Sequence, residues 1–175
     1  MITRRQAVLS LALAAGMGSA VSATARIMTK PVASTFHYII FIRATPERVW
    51  AALLDPNIER RCWRGPSFVT DWKPSGLWRM VYPDGRTANS GKILEIEPPN
   101  RLVLSWRNEA HPERAAEGYS NAVLELCGLD GVTKFSVTHV MDRPNSTLIA
   151  AASESWPLIL SNLKSLLETG EVALK

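Results

Sequence analysis

His139, Glu95 and the cysteines Cys62 and Cys127 are the side chains of this chain best suited to chemistry near neutral pH. His139 follows Phe135 and Val137 at steps of two, so on a strand all three point the same way. The two apolar residues make that direction the interior. An inward imidazole can act as general acid or base, as polar anchor for a ligand headgroup, or as a core histidine bonded to a neighbouring strand. All three roles stay open. Glu95 shares a strand face with Gly91 and Ile93, and alternation alone does not say whether that face is inner or outer. Facing inward, it would form an acid–base pair with His139. Facing outward, it is a solvated charge. No catalytic residue is assigned on this basis.

Other chemistry lacks its residues. His37, His111 and His139 show no metal-ligand spacing, and the cysteines stand alone, so no metal site is expected. The chain has no G-x-S-x-G elbow, no phosphate-binding loop and no dinucleotide fingerprint. No cofactor is implied. Two cysteines are too few for a disulfide framework, and both read as free, semi-buried thiols.

The elements that would position His139 begin at the far end of the chain. Ser155 to Gly170 reads as a long amphipathic helix, with Trp156, Leu160, Leu163 and Leu167 on one face. Ser155 serves as its N-cap, Pro157 falls in its first turn and Gly170 ends it. Ser161, Asn162, Lys164 and Glu168 fall mainly off the apolar face. Before it lie seven strand candidates: 36–43, 67–72, 77–82, 87–97, 101–107, 119–127 and 132–140. Turn sequences such as Pro83-Asp84-Gly85 and Leu129-Asp130-Gly131 separate them. Thr45-Pro46-Glu47 opens a helix after the first strand, and a second short helix runs over 57–63. Residues 108–118 form a longer charged loop. Short connections favour antiparallel pairing.

This pattern predicts an α+β fold in which a curved antiparallel sheet wraps the terminal helix. Space left between them would be an aromatic-lined cavity. Alternation assigns its lining to Trp78, Met80 and Tyr82 on one strand, then Trp106, Leu124, Phe135 and His139 on others. The helix adds Trp156, Leu160 and Leu163. Arg79 and Arg107 fall outside. Six tryptophans in 175 residues suit either a cavity wall or a solid core.

The first 25 residues read as a cleavable leader. Arg4 and Arg5 precede an apolar run, and Val21-Ser22-Ala23 or Ala23-Thr24-Ala25 offers a cleavage site. Thr3-Arg4-Arg5-Gln6-Ala7-Val8-Leu9 resembles the bacterial twin-arginine signal, with Ala7 standing where a bulky residue is expected. A general secretory leader is the alternative. The expected partner is the twin-arginine translocase, the expected location periplasmic or secreted, with no membrane span after cleavage. Residues 26–35 read as a tether, 36–170 as one domain and 171–175 as a tail. Net charge is +4, and without the leader arginines 18 basic residues face 16 acidic ones. That balance argues against nucleic acid.

Ala44-Thr45-Pro46-Glu47-Arg48-Val49-Trp50 resembles the opening of the START-like (SRPBCC) superfamily. Gly91 to Val103 with Trp106 resembles its central strand pair. Val137-Thr138-His139 and the segment from Trp156-Pro157 to Gly170 are similar to the end of the branch named after the activator of heat-shock protein 90 ATPase. The resemblance covers about residues 36–170. It implies a helix-grip fold holding a C-terminal helix over a hydrophobic pocket. Relatives bind lipids, sterols, polyketides or other apolar molecules, and a few catalyse cyclisation or hydrolysis. Three functions follow as expectations: an exported binder of a small apolar ligand, a pocket enzyme of cyclase, lyase or hydrolase type using His139, and a chaperone-like protein-interaction module. The oligomeric state stays open.

Overall fold

The computed structural model of the protein describes residues 32–174. The leader, with Arg4 and Arg5, and most of the tether lie outside the described residues. Strand β1 (Ser34–Ile42) leads into helix α1 (Pro46–Leu53) and helix α2 (Pro56–Cys62). Strands β2 (Ser67–Val69), β3 (Leu77–Val81), β4 (Thr87–Glu97) and β5 (Arg101–Asn108) follow. A four-residue helix, α3 (Pro112–Ala115), interrupts the charged loop. Strands β6 (Ser120–Leu129) and β7 (Val132–Met141) precede the long helix α4 (Thr147–Thr169). The strands form one sheet in the order β1-β7-β6-β5-β4-β3-β2, every pair antiparallel. This is the α+β helix-grip architecture expected above.

Local chemistry places the helix ends. Thr45 caps α1 with Pro46 at its first position, and Asp55 caps α2 ahead of Pro56. Gly170, at φ 86°, closes α4 with its N–H on the Leu166 carbonyl. The last turn of α4 has no basic residue of its own. Arg48 of α1 donates to the Leu167 carbonyl and Arg61 of α2 to the Gly170 carbonyl, so the two short helices supply the cations that helix end favours.

Three expectations change. Helix α4 starts nine residues earlier than predicted, capped by Ser146 rather than Ser155, with the Ser146 Oγ accepting from the Ile149 N–H at 3.1 Å. Pro157 therefore sits in the helix interior, and Ser155 donates its hydroxyl back to the Ala151 carbonyl instead of capping. Asn162 is fully buried. Its amide donates to the Cys62 carbonyl, and its oxygen accepts from the Leu174 N–H. It thus ties α4 to α2 and to the tail. Cys62 is buried and Cys127 exposed, both free.

The core fills the concave side of the sheet. Leu102, Leu104, Leu124, Leu126, Phe135 and Val137 point into it as alternation requires. The C-terminal half of α4 contributes Leu160, Leu163, Leu166 and Leu167. That helix also covers part of the outer edge of the sheet. The Lys164 ammonium donates to the Phe41 carbonyl at 2.6 Å, and the Arg43 N–H donates to Glu168 at 2.7 Å.

Candidate functional site

A cavity of about 420 Å³ opens where the N-terminal half of α4 crosses the end of the sheet. Along the C-terminal half of the same interface the large side chains Leu160, Leu163, Leu166 and Leu167 are buried in the core. The difference lies in residue size. Leu148, Ala151 and Ala152 line the cavity from the first turns of α4, and the two alanines leave room that leucines fill further on.

The walls are aromatic. Trp106, from β5, stacks on Trp63 of the α2–β2 connection with ring centroids 5.7 Å apart. Trp156, from α4, meets Trp63 edge-on at 5.1 Å and lies 5.9 Å from Trp106. Trp78 backs Trp106 at 4.6 Å, and Phe68 backs both. Each contact falls in the range where tilted or offset aromatic pairs are favoured. Trp63 is half-buried, so the cluster reaches solvent at the cavity.

His139 forms the polar floor. The Trp156 indole N–H donates to its Nδ1 at 3.3 Å, and an indole nitrogen can only donate. Nδ1 therefore carries no proton. Nε2–H then donates to the Ser120 Oγ at 2.7 Å, and the Ser120 hydroxyl donates to the Trp106 carbonyl at 3.0 Å. Both imidazole nitrogens, the Ser120 hydroxyl and the Trp156 indole N–H are thus satisfied. Burial pulls the imidazole down to about 4, so it stays neutral at physiological pH. No lone pair is left for abstracting a proton, and no N–H is left for a ligand. The geometry matches the satisfied core histidine among the three roles open in the sequence.

Glu95 lies elsewhere. A bulge between Ile93 and Glu95 inserts Leu94, which breaks the shared face expected for Gly91, Ile93 and Glu95. Ile93 stays buried while Glu95 turns outward and accepts from Arg101 at 2.8 Å. It makes no pair with His139.

Of the ten residues expected to line a cavity, Tyr82, Trp106, His139 and Trp156 do so. Trp78 stands one layer behind this cavity and borders a separate groove with Leu77, Leu94 and Tyr119. Met80, Leu124, Phe135, Leu160 and Leu163 are buried in the solid core. The lining also contains residues that alternation could not reveal. Trp63 and Arg64 lie on an irregular connection, Asn89 and Asn108 at strand ends, and His111 and Arg114 around α3. The one available signal was compositional: an indole between arginines at Arg61-Cys62-Trp63-Arg64-Gly65.

Behind this wall Glu59 is 2% exposed. One carboxyl oxygen accepts from the Phe68 N–H at 2.8 Å, and the other has no partner among the described residues. Burial pushes this group up to about 7. The described residues hold no cluster of side chains able to bind a metal ion.

The model of the Activator of Hsp90 ATPase homolog 1-like protein family matches residues 43–168. No curated protein matches the chain. Among solved structures, CalU16 from Micromonospora echinospora is 24% identical, with a TM-score of 0.61 over 79% of this chain and 78% of its own. A protein from Mesorhizobium loti aligns at 18% identity and TM-score 0.67 over 79% of this chain and all of its own. An HSP90 activator from Plasmodium falciparum aligns at 22% identity and TM-score 0.62, over 77% of this chain and 96% of its own. At these identities the three share the fold.

Proposed function

The chain belongs to the Activator of Hsp90 ATPase homolog 1-like family, and from that premise we propose that it is an exported protein that binds a small apolar or aromatic ligand. One observation carries this reading. Three indoles, Trp63, Trp106 and Trp156, wall a cavity of about 420 Å³, a volume within the usual range for ligand pockets. The resemblance to the START-like superfamily implies a ligand-binding or cyclase-like scaffold. The closed hydrogen-bond chain through His139 favours binding over turnover, because a general base needs a free lone pair. Export rests on the Arg4-Arg5 leader and makes the translocase a transient partner.

The test uses N-phenylnaphthylamine, a neutral apolar fluorophore. It should bind the native protein saturably, with energy transfer from the tryptophan cluster. Trp106→Ala should enlarge the site at a cost below about 3 kcal/mol, since the ring already borders open space. No saturable binding, together with a Trp106→Ala cost at the full core level of about 3–5 kcal/mol, would sink the proposal.

A second reading, the protein-interaction module, is favoured by the outer face of the sheet. Val69, Leu77, Leu94 and Tyr119 are all exposed there around a groove of about 700 Å³. Native mass spectrometry of protein from its own host separates the two. A co-purifying small molecule supports the carrier, and a bound protein supports the module.

A further inference from the structure

The cavity wall has more hydrogen-bond donors than acceptors. The Asn89 side-chain oxygen accepts from both the Trp106 indole at 3.0 Å and the Asn108 amide at 3.2 Å. The Asn108 oxygen accepts from the His111 N–H at 2.9 Å. Both amide oxygens are therefore engaged. The Asn89 amide nitrogen finds only the Met80 sulfur, at 3.9 Å, which is a weak acceptor. The Arg114 Nε is buried with no hydrogen-bond partner among the described residues, and the carboxylate of Glu113 stands 4.0 Å away. Arg64, at φ 59° in the turn leaving α2, reaches the same cavity. It makes no hydrogen bond or ion pair among the described residues.

The remaining side-chain acceptors are the Tyr82 hydroxyl, one nitrogen of the exposed His111 ring, Ser155 and Glu154. Ser155 is turned back on its own helix. Glu154 lies at the rim, where it is exposed and screened by solvent. A pure hydrocarbon in this cavity would leave the buried guanidinium N–H unpaired, and an unpaired buried donor is unfavourable. An oxyanion supplies the missing acceptors, balances the Arg64 guanidinium, which has no ion pair among the described residues, and offers Arg114 a closer partner than Glu113 at 4.0 Å.

We infer that the molecule bound here is an amphiphilic acid: an aromatic or apolar body against Trp63, Trp106 and Trp156, and a carboxylate- or sulfonate-type group between Arg64 and Arg114. The inference rests on the ligand-binding reading and names the ligand's class. Arginine suits the role because its planar fork meets a two-oxygen anion in a fixed geometry. Asn89 and Asn108 provide neutral donors beside it.

Two probes with the same aromatic frame make the test. N-phenylnaphthylamine is neutral, and anilinonaphthalene sulfonate adds one anionic group. Both are titrated into the wild-type protein, following energy transfer from tryptophan. The sulfonate should bind at least about tenfold more tightly, as expected for a charge-assisted pair, and that advantage should shrink with added salt. Arg64→Gln and Arg114→Gln should each weaken the sulfonate about fivefold or more while leaving the neutral probe unchanged. Arg64 is exposed, so Arg64→Gln keeps the test intact should Arg114→Gln fold poorly. Equal affinities for the two probes, or arginine variants that weaken both alike, overturn the inference and leave the carrier standing. If neither probe binds saturably, both are overturned.

Discussion

His139 and Glu59 are both buried and titratable, and burial moves them in opposite directions. The imidazole is lowered from about 6.5 to about 4. Between those values the unfolded chain holds a proton that the native one rejects, so stability is lost as pH falls through the window. The Glu59 carboxyl is raised from about 4.5 to about 7. There the native state holds the extra proton, so stability is present at low pH and lost as pH rises towards 7 and beyond. Each shift is worth about 3 kcal/mol at most. The two windows overlap from about 4.5 to 6.5, where the slopes oppose each other. The wild-type protein should therefore show a nearly level urea-denaturation profile across that range. Glu59→Gln keeps the acceptor for the Phe68 N–H and removes one slope. Its stability should fall by about 2–3 kcal/mol between pH 6.5 and 4. A level profile for that variant would mean that His139 is not held neutral by the fold.

Helix α4 shows what sequence periodicity reports and what it hides. The face carrying Trp156, Leu160, Leu163 and Leu167 is legible because large apolar residues recur at helical spacing. The first turns, Thr147 to Ala152, are legible only weakly because they are dominated by small residues. Pro157 then looks like a helix start when it is an interior residue. Two substitutions separate the alternatives. Ser146→Ala should cost about 1 kcal/mol through loss of the cap, whereas Ser155→Ala should stay within about 0.5 kcal/mol. Equal effects in chemical denaturation would contradict the observed start. On the same helix, Leu163→Ala should cost about 2–5 kcal/mol. In β4, alternation reads correctly up to Ile93 and fails at Glu95, because a one-residue bulge reverses the faces beyond it without an obvious sequence mark. Asn162 was hidden for a different reason. Its polarity suits a surface, but a tail N–H and a helix-end carbonyl satisfy it in the interior.

At the scale of the whole molecule, the antiparallel pairing of consecutive strands and the packing of the helix on the sheet were legible from turn chemistry and alternation, whereas the place of β1 beside β7 was not, because no short turn joins them. The cavity's position was not, because it depends on where small residues of α4 fall opposite an irregular connection. Four of its wall residues were legible on regular elements, and the cationic side was not. The proposed export route rests on residues 1–25 read as a leader. The twin-arginine pathway reads its arginine pair as an address, while a general leader needs only positive charge. Arg4→Lys with Arg5→Lys should leave the precursor in the cytoplasm with the domain folded. Cell fractionation showing export at an unchanged rate would assign the leader to the general route.

The contacts of Lys164 and Glu168 with β1 have a consequence for how this protein behaves in company. Strand β1 is an edge of the sheet, and an edge with free N–H and C=O groups is a template for an incoming chain. At Phe41 and Arg43 those groups are already held by side chains of α4. The opposite edge, β2, is only three residues long and offers little purchase. One end of the sheet is plugged and the other is too short to recruit. Lys164→Ala with Glu168→Ala should unplug the first, and light scattering should then report self-association rising with concentration. If that double variant stays as dispersed as the parent, the lock against strand addition lies elsewhere.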